Sequence, residues 1–534
     1  MILKNLIANK GKGIAAGMPL TKAEKWKMGL AIFGGKVAGL LLVLGAMKFL
    51  PVLMGTPAYA DGTYTPHETS LINSVNTVWT LVAAFLVFGM QAGFVMLEAG
   101  FARTRETVNV LMECIFDTCI CGMLFWAIGY AFMFSHGNGF IGYHWFFLSG
   151  TPAAYEATGV PILAHWIFQF AFADTTSTIT SGAMIGRTSF RGDILYSIGV
   201  TGFIYPIIGH WAWGPDGFLA TMGTPGNFLP SLGQGFRDFA GSTVVHTIGG
   251  VVSLAGAIVL GPRLGRIFRR DDKVNGGMPA PHNLVVASVG AFLLWFGWYG
   301  FNPGSTLSAM DADGIGRIAA NTTLAACTGG LSAMLLALWF GQTKGKFDLG
   351  LTINGLLGGL VAITCPCYWV SPLGAILLGF MAGGFVYLGT YLLEYLRIDD
   401  PVGAVPVHGM CGIWGTLSLG LFACGQYGAT GPTGADNSSV VKGLFYGGGW
   451  DVLKAQAIGS FTITVATFTV AIVLMWAVKQ LPHPWKLRVP KEAETGPGGL
   501  DMFEHGTFAY PGQTEPEDLI IELEKPRHKI PILQ

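Results

Sequence analysis

Two stretches decide the fold: Asp238-Phe-Ala-Gly-Ser-Thr-Val-Val-His246 and Asp400-Pro-Val-Gly-Ala-Val-Pro-Val-His408. Each sets a histidine eight residues after an aspartate, and glycines follow at Gly249 and Gly250 or at Gly409 and Gly412. Each also opens an apolar segment long enough to cross a bilayer, which takes about 20 helical residues. If the two segments cross in opposite senses, the chain holds an inverted repeat whose central elements meet at the membrane midplane.

Working outward, apolar segments of spanning length fall at about 74–100, 108–134, 161–185, 193–213, 240–261, 283–303, 317–341, 351–370, 373–396, 406–424 and 456–480. The fold predicted is all-α and polytopic, with eleven transmembrane helices. Five make a first half (about 74–261), five an inverted second half (about 283–424), and a final helix follows. Phe88-Gly89 to Gly93-Phe94 in the first span answers Phe296-Gly297 to Gly300-Phe301 in the sixth. Charge sets the orientation. Alternate loops carry Arg103, Arg105, Arg187, Arg191, Arg263, Arg266, Arg269, Arg270, Lys273, Lys344, Lys346 and Arg397, and the other loops carry only Arg237, Arg317 and Lys442. The N-terminus is therefore predicted outside and the C-terminus inside.

Composition agrees. Of 534 residues, 31 are Lys or Arg and 31 are Asp or Glu, so 12% are charged while 51% are hydrophobic. About 25% charge is usual in soluble proteins, which need it to cover their surface. The 78 glycines follow no collagen period and suit close helix packing in lipid. Zero net charge gives no electrostatic case for nucleic acid. Residues 1–60 read as a cleaved signal peptide: Lys22, Lys25, Lys27 and Lys36 precede an apolar run from Val37 to Met54, and Ala58-Tyr59-Ala60 supplies the small-x-small site. The membrane domain is then 61–481, and 482–534 is a cytoplasmic tail.

Ionisable groups inside apolar helices are costly and mark pathways. His246 and His408 occupy matching places, and two neutral imidazoles in contact can share a proton. That suits a small neutral solute or a proton relay. Asp238 and Asp400 read as helix caps, with Asp238 alternatively a source of negative field at an outer cation site. Phe168, Phe170 and Phe172, Trp211 and Trp213, and Trp298, Tyr299 and Phe301 are packing or interfacial aromatics on residue type alone. Converging, they would make a cation–π cage, with Ser305 as a hydrogen-bond acceptor. The cysteines lack metal-ligand spacing, and Cys119/Cys121 and Cys365/Cys367 are too tightly spaced for a zinc knuckle. A disulfide among Cys365, Cys367 and Cys424 is left open. No nucleotide motif, metal site or cofactor site is expected, and the chain does not read as an enzyme.

In those segments the chain resembles the ammonium transporter/methylammonium permease family, related to the Rhesus proteins. The resemblance runs from about Asn73 to Pro511. It rests on the two Asp–His stretches, on Trp295-Phe-Gly-Trp-Tyr-Gly-Phe-Asn-Pro-Gly-Ser305, on His408-Gly-Met-Cys-Gly-Ile-Trp-Gly415, and on Gly499-Leu-Asp-Met-Phe-Glu-His505 to Ala509-Tyr510. It implies a bacterial inner-membrane homotrimer that takes up ammonium, with methylammonium as an analogue, in contact with membrane lipid. It implies recruitment at Phe172, Trp213, Ser305 and Phe168, a gate of Phe172 and Phe301, twin pore histidines at His246 and His408, and support from Trp298 and Asp238. Ammonium would lose its proton and cross as ammonia, with the proton moving too, so that uptake is electrogenic. The tail around Asp501 to Tyr510 is expected to dock on the cytoplasmic face and meet a P-II-type signalling protein. Three alternatives stand beside this: an ammonium sensor acting through a partner, a passive ammonia channel, and an electron carrier with the histidines as haem ligands. Four positions depart from the family pattern: Gly186 before Arg187, Gly403 where an aspartate is common, Pro303 in the Asn-x-Gly-Ser turn, and Asp174 below the recruitment aromatics.

Overall fold

The computed structural model describes residues 65–155, 158–341, 345–428 and 440–510. The expected signal peptide and the end of the tail lie outside them. One compact unit comprises Ala58–Met334 and Leu349–Gln534, and it holds the residues of the candidate site. Of the other unit, Met1–Pro57 with Leu335–Asp348, the described residues are the end of one long helix and a short stretch after it.

Nine helices among the described residues are long and apolar enough to cross a membrane. In chain order, with two further helices that complete the series, they are α1 (Pro66–Phe101), α2 (Thr104–Phe134), α3 (Ile162–Gly182), α4 (Phe190–Trp213), α5 (Ser242–Leu260), α6 (Leu284–Thr306), α7 (Ala312–Phe340), α8 (Leu349–Thr364), α9 (Pro372–Leu396), α10 (Val405–Phe422) and α11 (Asp451–Gln480). The two additions are α3, whose hydroxyl-rich second half lowers its apolar content, and α8, which has 16 residues. The architecture is all-α, with two two-residue antiparallel pairs in the α2–α3 loop, Gly137–Asn138 with Ile141–Gly142 and Ala154–Tyr155 with Val160–Pro161. Helix α1 begins eight residues before the predicted span because Thr65 and Glu68 form a reciprocal capping box with Pro66 at the first position. Helix α8 ends six residues earlier than predicted, just ahead of Pro366, which the apolar run had concealed.

Large apolar side chains point outward along the helices, among them Phe85, Phe292, Phe461 and Trp476. In water such a surface would drive aggregation, whereas lipid accommodates it. Inside, small residues let backbones meet. Helix α1 packs more extensively on α6 than any other pair of helices pack, which brings together the two segments that looked alike in sequence. Helices α5 and α10 cross where Gly250 faces the backbone of Gly409, and a Cβ on Gly250 would collide with it.

The tail continues α11 back under the loops. Leu487 O accepts from Ser189 N (3.0 Å), and Val489 N donates to Arg187 O (3.1 Å). Asp501 accepts from the backbone N–H of Asn109 (3.0 Å) near the start of α2, His505 pairs with Asn109 Oδ1 (3.0 Å), and Tyr510 with His282 (3.1 Å).

Candidate functional site

The site grows from two matching turns. Asp238 Oδ1 accepts from Gly241 N (3.0 Å), and its Oδ2 from Thr243 N (2.8 Å) and Val244 N (2.9 Å). Asp400 Oδ1 accepts from Gly403 N and Ala404 N (both 3.0 Å), and its Oδ2 from Val405 N (2.8 Å). Both aspartates are helix caps, as expected, and each satisfies three orphan N–H groups. The residue three after each is a glycine in the left-handed region, Gly241 at φ 110° and Gly403 at φ 87°. This gives Gly403 its reason: the turn needs positive φ, and Asn354 Nδ2 fills the space a Cβ would take.

Each helix then opens with a wide π-helical turn, Ser242–Thr247 and Val405–Met410, that carries its histidine. Such turns displace side chains from the ordinary helical register. The imidazoles meet with Nδ1 to Nδ1 at 3.2 Å and ring centroids 5.2 Å apart. His246 is fully buried and His408 is 7% exposed. In this contact one nitrogen donates and the other accepts, so the pair shares one proton.

Aromatic rings continue the line on one side of His246. Phe301 stands 5.4 Å from it and Trp298 5.2 Å, centroid to centroid. Phe301 stacks on Phe172 at 4.0 Å and 28°. Phe172 in turn meets Phe168 at 4.7 Å and the edge of Trp213 at 6.1 Å. Trp213 is fixed by its indole N–H on Asp238 O (2.8 Å), and Trp298 by its own on Thr364 Oγ1 (2.9 Å). Ser305 donates to Phe301 O (2.8 Å), which leaves its oxygen free to accept. On the other side of the pair lies a cavity of about 20 Å³ lined by His408, Glu98, Asn354, Gly403, Phe94 and Val407 among others. That is room for one water-sized molecule.

All the residues named for the recruitment site, gate and pore thus fall in one column. Others leave it. Phe170 stacks on Trp166 and meets Phe88, Tyr299 bonds Thr323, and Trp211 donates to Phe140 O. Asp174, two residues after Phe172 of the cage, has Thr118, Asp117 and Gln91 for neighbours on α2 and α1. All eight cysteines are free thiols, so the disulfide left open among Cys365, Cys367 and Cys424 is not formed. Among the described residues no group of histidine, cysteine and carboxylate side chains is placed to hold a metal ion.

Sequence reasoning missed two carboxyls. Glu106, fully buried, pairs with Arg103 (2.8 Å) and occupies the space where a side chain at Gly186 would begin. An acid is therefore present beside Arg187 in space, supplied by α2. Glu98, one turn from the end of α1, lines the cavity under His408. Its signal was available: an acid inside an apolar span. Nearby, Asp399 receives Arg263 (2.8 Å) and Arg266 (3.2 Å), and its carbonyl receives buried Arg187 (2.6 Å). The Arg263 guanidinium holds the Asp399 carboxyl well below the usual range against the cost of burial.

The chain matches the model of the Ammonium Transporter Family over residues 78–510. It is 42% identical over 440 residues to ammonium transporter Amt2 of Archaeoglobus fulgidus, covering 82% of this chain and 88% of that one. To ammonium transporter 1 member 1 of Arabidopsis thaliana it is 39% identical over 432 residues, 78% of this chain and 81% of that. Among solved structures it is similar to one titled Sensor Amt Protein, at 32% identity and a TM-score of 0.69, covering 82% of this chain and 99% of that chain. It is also similar to Mep2 of Saccharomyces cerevisiae, at 26% identity and a TM-score of 0.69, covering 82% and 93%.

Proposed function

This chain belongs to the Ammonium Transporter Family and is a multi-pass membrane protein that transports ammonium; from that premise we propose that the aromatic–histidine column is the conduction path. Ammonium is recruited among Trp213, Phe172, Phe168 and Ser305, where ring faces and a hydroxyl oxygen replace its water. It passes the stacked Phe172 and Phe301 by their rotation, gives up its proton, and moves as ammonia past His246 and His408. Carrying the ion itself through so apolar a channel would cost far more desolvation. The proton crosses as well, by way of the shared imidazole proton, and uptake is electrogenic. Trp298 lines the path, and Asp238 fixes the outer turn.

The observation that carries this reading is the unbroken series from Trp213 through Phe172 and Phe301 to two imidazoles 3.2 Å apart. In this reading all eleven helices cross a bacterial inner membrane, with the N-terminus outside, the C-terminus inside, and inverted halves meeting at α5 and α10. The transporter works as a homotrimer with one path per subunit, and the docked tail is a surface for a P-II-type signalling protein. The test is a proteoliposome on a solid support given an ammonium jump. A sustained, dose-dependent current is expected. Lumenal alkalinisation without current would make the protein a passive ammonia channel.

A second reading, ammonium sensing through a partner, is favoured by the docked tail and by likeness to a structure whose title names a sensor. Binding without current or alkalinisation would select it.

A further inference from the structure

The cavity under His408 contains two titratable side chains, His408 itself and Glu98. The Glu98 carboxyl is 2% exposed and is held by a single hydrogen bond, from Ser181 Oγ at 3.3 Å. Asn354, across the cavity, spends its N–H on Val402 O (2.9 Å) and leaves its Oδ1 without a hydrogen-bond partner. A polar molecule between these groups would meet an imidazole, a carboxyl and an amide oxygen.

Behind Glu98 the carboxyls continue. Asp117 and Glu113 on α2 lie within electrostatic reach of it and of each other. Asp117 is fully buried, with the hydroxyls of Ser177 and Ser197 beside it and no basic side chain to balance its charge among the groups that act on it. Glu113 Oε1 accepts from Asn109 Nδ2 (2.7 Å), and Asn109 meets His505 of the docked tail. Groups so costly to bury, arranged from the pore cavity to the tail, are hard to explain as packing.

We propose that Glu98 is a proton-accepting carboxyl of the inner cavity, which passes the proton delivered past His408 to Asp117 and Glu113 while ammonia leaves separately. The inference rests on the proton-coupled reading above. The carboxylate takes the proton from ammonium, or from a cavity water that has just received it from the His408 imidazole; the donor is left as neutral ammonia or water, and Glu98 becomes a neutral acid. Transfer to a carboxylate of Asp117 or Glu113 restores it, and the proton leaves near Asn109. Nothing is oxidised or reduced, and one charge crosses per ammonia.

The test compares wild type, Glu98→Gln, Glu98→Asp and Asp117→Asn in proteoliposomes, with current and lumenal pH recorded after an ammonium jump. Gln keeps the shape and cannot take up a proton. Glu98→Gln is expected to lower current at least tenfold while ammonia entry stays within about twofold, so the lumen alkalinises. Glu98→Asp should keep most of the current, and Asp117→Asn should lose it severalfold. Wild-type current in Glu98→Gln would overturn the proposal, as would equal loss of current and ammonia entry in a variant with unchanged melting temperature. Alkalinisation without current in the wild type itself would instead overturn the proton-coupled reading, and this inference with it.

Discussion

Asp238 and Asp400 hold three backbone N–H groups each, and each places a histidine eight residues on, so that the two rings meet at 3.2 Å. The carboxylates therefore aim the imidazoles through the backbone. An N-cap is worth about 1 kcal/mol, and bonds to a charged group are stronger, about 1.5–3 kcal/mol each. Asp238→Ala is expected to cost roughly 2 kcal/mol or more and to abolish most of the ammonium current, while Asp238→Asn keeps part of both. Melting temperature and current in the same preparations check this. Full current in a folded Ala variant would mean that the turn holds itself.

Removing one ring of the pair separates the proton from the solute. His246→Ala is expected to leave ammonia entry while charge movement falls at least tenfold, and to weaken exclusion of alkali cations, because the apolar barrier shortens. Unchanged current and selectivity over sodium and potassium would leave the pair without a transport role.

At the outer end, the cation–π contribution of one ring is about 0.5–2 kcal/mol depending on desolvation, or roughly 2- to 30-fold in affinity. Trp213→Leu is therefore expected to raise the ammonium concentration for half-maximal current by about 3–10-fold. The maximal current should change little, since Trp213 stands outside the Phe172–Phe301 stack. A lowered maximum with an unchanged half-saturation point would place Trp213 in the gate.

The long helices were legible because a bilayer imposes twenty apolar residues at a time, and the paired histidines because intramembrane charge is rare. What escaped reading was three-dimensional. Gly403 looked like a departure from a family pattern, yet Gly241 stands at the same step after Asp238 and both take positive φ. Aligning the two halves on this glycine would have explained it. Glu106 fills the space beside Gly186 from another helix, and no linear pattern announces such an exchange. Asp174 was placed below the recruitment aromatics as a departure from the family pattern, but two residues beyond Phe172 a helix has turned through roughly 200°, toward α2.

The docked tail carries opposing titrations. Burial raises the Asp501 carboxyl to about 6, against the α2 N–H groups that favour the anion, and burial also raises Glu504. Both groups favour docking while protonated; the Asp501 contribution is full at low pH and has been lost once pH passes about 6, and Glu504 adds a trend of the same sign. His505 has the opposite sign: burial lowers it, so docking loses its contribution as pH falls through 6.5, the value of the free imidazole. In the wild type the two trends oppose each other between pH 5 and about 6. In His505→Gln, where the amide replaces the ring against Asn109, hydrogen-exchange protection of residues 491–510 is expected to fall from pH 5 to about 6 and to level off above it, once intrinsic exchange rates are divided out. Adding Asp501→Asn should flatten most of that slope. A single variant with pH-independent protection would mean that Asp501 is ionised in the docked tail throughout this range, its carboxylate satisfied by the α2 N–H groups in spite of burial.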